Sequence, residues 1–247
     1  MSITAIIGGT GLAELEGLQV EREEHMDTPW GAPAAPLLHG SLAGRPVVFL
    51  ARHGRDHRLA PHELNYRANT WALRQAGARR VIAVNAVGGI GAGFAPGTLV
   101  VPHQLIDYSW GRAHTFSEGN GEAPQHVDFT EPYSAGLRKR LLDSAARAGL
   151  PAKDGAVYAV TQGPRLETAA EVDRLERDGC DIIGMTGMPE AGLARELGLE
   201  YACCAVVVNW AAGRGGDIHA ELERWVTEGM GQARRLLAAV LAEREAA

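Results

Sequence analysis

Short apolar runs rich in β-branched residues alternate along this chain with amphipathic stretches of helical length, and that alternation limits its fold more than any other feature. The runs are Thr4 to Ile7, Val47 to Leu50, Val81 to Val84, Thr98 to Val101, Ala156 to Val160, Asp181 to Gly184 and Tyr201 to Val208. The intervening stretches are His62 to Gln75, Ser134 to Ala148, Thr168 to Arg177 and Pro189 to Leu197. Runs of the first kind form strands and stretches of the second kind form helices, so the order predicts an α/β fold. Gly77, Gly149, Gly179 and Gly198 each follow a predicted helix where a left-handed residue closes the last turn, and Pro189 suits a first turn. Leu37 to Leu50 reads instead as a hairpin around Leu42-Ala43-Gly44-Arg45, which makes the expected sheet mixed rather than purely parallel. From about Ile218 to Glu245, Leu222, Trp225, Val226, Met230, Leu236, Leu237 and Leu241 recur at helical spacing and predict a C-terminal helix. Between Trp110 and Pro132 all periodicity is lost, and a loop of that length inside a compact domain is more often functional than idle.

The chain has 247 residues with no Pro/Ser-rich linker, which predicts one domain over 1–247: an α/β domain with a mixed central β-sheet flanked by helices. A formal net charge of -6 gives no general attraction to nucleic acid or to an anionic membrane, so the basic groups that matter must act locally. The N-terminus lacks a charged lead and a long apolar core, and no later run approaches membrane-spanning length; a cytoplasmic protein is expected. Cys180, Cys203 and Cys204 form neither a CxxC pair nor an even disulfide set, and the nine histidines contain no HExxH, so no metal is expected.

Four turns at predicted strand ends offer anion-binding groups. Gly8-Gly9-Thr10-Gly11 supplies backbone N–H groups and a hydroxyl, but Glu14 stands where a dinucleotide fingerprint needs its last glycine, and no GK[ST] follows. Ala51-Arg52-His53-Gly54-Arg55 brings a guanidinium able to fork onto an oxyanion and an imidazole donor, unless these are a surface charge and a structural histidine. Asn85-Ala86-Val87-Gly88-Gly89 reads as a turn closing the strand Val81 to Val84, and Gly184-Met185-Thr186-Gly187 adds a hydroxyl beside a long apolar side chain. Two further residues suit the edge of a 6-oxopurine. Glu167, as a carboxylate, accepts hydrogen bonds only and matches a ring N1–H; Asn209, as an amide, donates and accepts and matches O6 and N7. The competing reading is that Glu167 caps the next helix and Asn209 merely ends a strand.

Taken in order, Ile7-Gly8-Gly9-Thr10-Gly11-Leu12, Asp27-Thr28-Pro29-Trp30-Gly31, Ala51-Arg52-His53-Gly54-Arg55, Asn65-Tyr66-Arg67-Ala68-Asn69, Gln162-Gly163-Pro164-Arg165 and Gly184-Met185-Thr186 before Pro189-Glu190 give a chain that resembles the trimeric purine nucleoside phosphorylase family, most closely its methylthioadenosine/methylthioinosine phosphorylase branch. The resemblance covers nearly the whole chain. It implies that Thr10, Arg52, His53, the Ala86 backbone and Thr186 bind inorganic phosphate, the co-substrate, with no further cofactor. It also implies that Met185 packs on the ribose, that Leu166 contacts the substrate, and that His126 is presented by a neighbouring subunit of a homotrimer near the nucleoside 5′ end. Family members that cleave methylthioadenosine carry two aspartates where this chain has Asn209 and Ala211, and Leu166-Glu167-Thr168 looks like the phosphorylases of inosine and guanosine. Both departures imply a 6-oxo base. At the 5′ end, alignment from Asn209 puts apolar Leu222 near the position of a histidine in inosine and guanosine phosphorylases, with His219 one helical turn earlier. A methylthio group suits Leu222 better than an unpaired hydroxyl does. Phosphorolysis of S-methyl-5′-thioinosine is therefore expected, ahead of inosine/guanosine phosphorolysis, methylthioadenosine phosphorolysis or non-catalytic purine binding.

Overall fold

The structure is a computed structural model that describes residues 3–117, 123, 125–218, 220 and 222–243. In chain order the elements are β1 (Ile3–Gly8), β2 (Gln19–Glu24), β3 (Leu37–Leu42), β4 (Arg45–Ala51), α1 (Tyr66–Gln75), β5 (Ala78–Gly89), β6 (Leu99–Val101), β7 (Gln104–Asp107), α2 (Ala135–Arg147), β8 (Ala152–Asp154), β9 (Val157–Val160), α3 (Ala169–Arg177), β10 (Ile182–Gly184), α4 (Glu190–Glu196), β11 (Glu200–Trp210) and α5 (Leu222–Ala242). The strands form one mixed sheet in the order β2-β3-β4-β1-β5-β10-β9-β7, with β11 also paired to β5 and carrying β6 and then β8. β3 and β4 are the expected antiparallel hairpin, with Leu42 opposite Arg45.

The predicted helices all form, and their ends follow local chemistry. Ser134 accepts from the Leu137 amide to cap α2, while Thr168 and Glu171 cap α3 reciprocally. α1 starts at Tyr66 rather than at His62, because Asn65 is the residue whose side chain caps it. β2, β7 and β8 escape sequence reading. β2 (QVEREE) is mostly exposed and polar, and the other two are only four and three residues long. Strands of that kind carry no apolar signature.

The core runs along the sheet. Ile6, Ile7, Val84, Val206 and Val207 are fully buried at the centre, and α5 closes over them with Met230, Leu236 and Leu237. All three cysteines are buried and unpaired, as packing residues.

Two irregularities in the sheet create the cleft. β5 pairs with β1 only as far as Ala83 and with β10 only from Gly88, so along that edge Val84–Val87 has no strand partner among the described residues. The segment Asn85–Gly89 is thus not the turn that the sequence suggested: β5 continues through it, held on its other edge by β11. β11 itself carries a register shift between Val207 and Asn209, a bulge that re-aims the side chains that follow it. Both features lie at the carboxyl ends of parallel strands, where open α/β sheets build their sites.

Candidate active site

The gap beside β5 opens into a cleft of about 200 Å³. Thr10, Arg52, His53, Ala86 and Thr186 line it, as do Met185, Leu166, Glu167 and Asn209. Residues in or after six strands, β1, β4, β5, β9, β10 and β11, therefore line one cleft.

Arg52 departs from its expected role. Its guanidinium is 1% exposed and its fork grips a carboxylate of the protein, with Nε donating to Glu190 Oε2 at 2.7 Å and Nη2 to Glu190 Oε1 at 3.0 Å. Nη1 donates to the Val84 carbonyl at 3.1 Å, in the unpaired stretch of β5. Three of five N–H donors are thus used internally, and two remain for the cleft. Burial opposes the Arg52 charge, but the Glu190 carboxylate more than offsets it and holds the group above its ordinary pKa. Glu190 is itself 0% exposed and accepts a third bond from the Tyr201 hydroxyl at 2.7 Å. In the sequence Glu190 stands only as part of the Pro189-Glu190 landmark of the resemblance, with no role attached; its pairing with a buried arginine is shown by the fold alone.

Gly9 shows the same packing demand. A Cβ there would lie 2.7 Å from Arg52 Nη1 and 2.8 Å from the Val84 carbonyl oxygen. The glycine is required by the close approach of the guanidinium to the backbone.

His53 Nδ1 lies 2.8 Å from the Leu59 carbonyl oxygen, which can only accept, so Nδ1 carries the proton and Nε2 is an acceptor in the neutral ring. Burial, reinforced by the adjacent Arg52 charge, pushes the His53 pKa from 6.5 down to about 4. The Thr186 hydroxyl accepts from Asn85 Nδ2 at 2.8 Å, and Asn85 Oδ1 in turn accepts from Cys203 Sγ at 3.4 Å. Thr186 also lines the cleft, its hydroxyl orientation constrained by the bond from Asn85. Asn85, a member of a predicted turn, is this positioning residue. Thr10 is exposed, with its hydroxyl 3.4 Å from His57 Nε2.

Glu167, also in the cleft lining, is not a helix cap. Thr168 and Glu171 cap α3, and Glu167 instead accepts from the Thr161 hydroxyl at 2.7 Å. Asn209 follows the bulge in β11 and spends one amide N–H on the Trp210 carbonyl at 2.7 Å, which leaves one N–H and Oδ1 for a ligand. Ala211 lines the cleft directly after them. Met185 packs against Gly163, where a Cβ would lie 2.4 Å from its sulfur.

The expected 5′ residues fall differently. Ile218, not Leu222, lines the cleft; Leu222 is the first residue of α5 and packs against the main core. The reason is that α5 begins at Leu222 and turns its apolar face inward, so the lining passes to the connection before it. His219 lies outside the described residues, and His126 is exposed and does not line the cleft of its own chain.

A family model for the phosphorylase superfamily matches residues 3–242. The chain is 57% identical to a probable S-methyl-5′-thioinosine phosphorylase of Pseudomonas syringae pv. tomato, over 98% of this chain and 99% of that protein. It is 44% identical to a 6-oxopurine nucleoside phosphorylase of Pyrococcus furiosus, over 86% of this chain and 81% of that one. Among solved structures, methylthioadenosine phosphorylase of Schistosoma mansoni in complex with adenine superposes with a TM-score of 0.92 at 29% identity, covering 98% and 91% of the two chains. Sheet, cleft and kinship agree: the chain belongs to the phosphorylase superfamily.

Proposed function

We propose that the chain catalyses phosphorolysis of S-methyl-5′-thioinosine to hypoxanthine and 5-methylthioribose 1-phosphate. The observation that carries this reading is the shared lining of a single cleft. Thr10, Arg52, His53, Ala86 and Thr186 line it, and so do Glu167 and Asn209, which bring the complementary groups for a 6-oxopurine. In the reaction a phosphate oxygen bonds to C1′ as the C1′–N9 bond breaks. The bonding pair leaves with the purine, and the proton given up by hydrogen phosphate appears on the released base. The free N–H of Asn209 donates to O6, where charge develops, its Oδ1 accepts from N7–H once that nitrogen takes the proton, Glu167 accepts from N1–H, and the anion side chains orient the nucleophile. Ala211 in place of an acidic residue supports a 6-oxo rather than a 6-amino base. The apolar side chain of Ile218 supports a methylthio group at the 5′ end, as does the kinship at 57% identity. The active unit is a homotrimer in which His126 reaches a neighbour's cleft; the exposure of Trp110, 72%, and of cleft-lining Leu166, 43%, supports a covered surface there.

Base release from methylthioinosine, inosine, guanosine and methylthioadenosine, with and without phosphate, tests the reading. Methylthioinosine should have the highest kcat/KM, release should require phosphate, and Arg52→Ala should abolish it. Equal or better use of inosine would overturn the substrate, and phosphate-independent release would make the enzyme a hydrolase. Asn209→Asp should shift preference toward 6-amino purines, because a protonated aspartate donates to N7 while accepting from N6–H.

A further inference from the structure

The phosphate-binding and base-binding walls of the cleft are consecutive strand ends that separate. β9 and β10 run parallel with Val160 beside Gly184, and the Thr161 amide still donates to the Gly184 carbonyl at 2.8 Å. Beyond that bond one chain goes on to Glu167 and the other to Met185 and Thr186.

Arg112, from the segment between β7 and α2, spans this divergence. Nη2 donates to the Gln162 carbonyl at 2.7 Å and the Thr161 carbonyl at 3.2 Å, while Nη1 donates to the Met188 carbonyl at 2.6 Å and the Met185 carbonyl at 2.7 Å. Nη1 also lies 3.3 Å from the hydroxyl of Tyr66, over whose ring the guanidinium sits, and that hydroxyl donates to the carbonyl of cleft-lining Pro61. Arg112 is buried, its Nε has no partner, and among the described residues no carboxylate lies within salt-bridge distance of it. A buried cation held only by carbonyls and a phenol is costly, and burying one without a paired anion is unusual. Its contacts bear on the ligand groups directly. Thr161, which gives its carbonyl to Arg112, gives its hydroxyl to Glu167 at 2.7 Å, and Met185 is bonded in sequence to Thr186.

We propose that Arg112 is a positioning residue that couples the two walls, so that phosphate in one part of the cleft favours purine in the other. This rests on the phosphorolysis reading and adds a thermodynamic link to it. Because such coupling is reciprocal, either ligand can be used to read it. Lysine offers a point charge rather than a planar fork, so Arg112→Lys can serve one wall but not hold both.

The test is calorimetric titration of hypoxanthine with and without saturating inorganic phosphate. Wild-type protein should bind hypoxanthine about tenfold more tightly with phosphate present, within the usual range of coupling. In Arg112→Lys that factor should fall below about twofold, while affinity for each ligand alone changes by less than about threefold. Arg112→Ala should behave likewise, and guanidinium ion added at low concentration should restore the coupling. Retained coupling in Arg112→Lys overturns the proposal, as does its absence from the wild type. Loss of both separate affinities without guanidinium rescue, or failure of both variants to fold, makes Arg112 a scaffold residue and also overturns it. Phosphate-independent turnover by the wild type would instead defeat the phosphorolysis reading, a separate result.

Discussion

At the phosphate end of the cleft the principal side chains are tied to other groups before any ligand arrives: Arg52 to Glu190 and Val84, His53 to Leu59, and Thr186 to Asn85. At the proposed 5′ end Ile218 stands between β11 and α5, half-buried and, among the described residues there, outside any helix or strand. The first region is fixed by strand ends and buried polar pairs, and the second only by the helix that begins after it. On the proposed function, recognition of the invariant reactant, phosphate, would thus be built into the scaffold, whereas recognition of the substituent that differs between related nucleosides would be delegated to a connection.

That contrast predicts a graded response to substitution. Glu190→Ala strands the Arg52 charge in the core, and breaking a buried pair from one side costs about 3–5 kcal/mol, so urea unfolding should show a loss of that order. Should Glu190→Ala unfold at the wild-type midpoint, the phosphate end is less rigid than its bonds imply. Thr186→Val removes one donor to a charged ligand, worth about 1.5–3 kcal/mol, and should lower kcat/KM for phosphate accordingly while Thr186→Ser largely retains it. His53 adds a pH signature. Its pKa lies near 4 in the folded protein against 6.5 ordinarily, so in phosphate-free buffer the unfolded chain takes up a proton that the folded one refuses. The contribution of neutral His53 is complete above about pH 6.5 and is lost as pH falls toward about 4. Melting of wild type and of His53→Asn should therefore converge over that window, and parallel curves would refute the shift. The smallest effect belongs to the 5′ end. Ile218→Ala should lower the methylthioinosine-to-inosine ratio of kcat/KM by about 1–2 kcal/mol, and Leu222→Ala should leave it nearly unchanged. The reverse order would return the 5′ contact to Leu222.

Most of the fold was legible because its central strands are apolar and its helices amphipathic with recognisable caps, as at Ser134 and Thr168. β2 was not, since an exposed strand of Gln, Glu and Arg has no pattern to read. The residues expected to face ligand were legible as chemical types and by resemblance; Thr10, Arg52, His53, Ala86, Leu166, Glu167, Met185, Thr186 and Asn209 line one cleft, whereas Leu222 and His126 do not. The partners of the lining residues were not legible. Glu190, Asn85 and Arg112 act on those residues from elements far away in sequence, and no local spacing marks a contact such as that of Arg52 with Glu190 across 138 positions. The turn expected at Asn85–Gly89 illustrates the same limit: its glycines read as punctuation, but neighbouring strands hold the chain extended.

The reciprocal cap of α3 by Thr168 and Glu171 has a consequence for how such a protein can change its diet. Because helix initiation is discharged by those two residues, the acid at position 167 is not needed to start α3, and its bond within the fold is with the Thr161 hydroxyl. It can be exchanged by single mutations while the helix behind it stays put, so drift in base preference passes through viable intermediates. The Arg52 site has no such freedom, since its acid and its base must be replaced together. A lineage of these proteins can therefore be expected to explore new purines readily and new nucleophiles hardly at all.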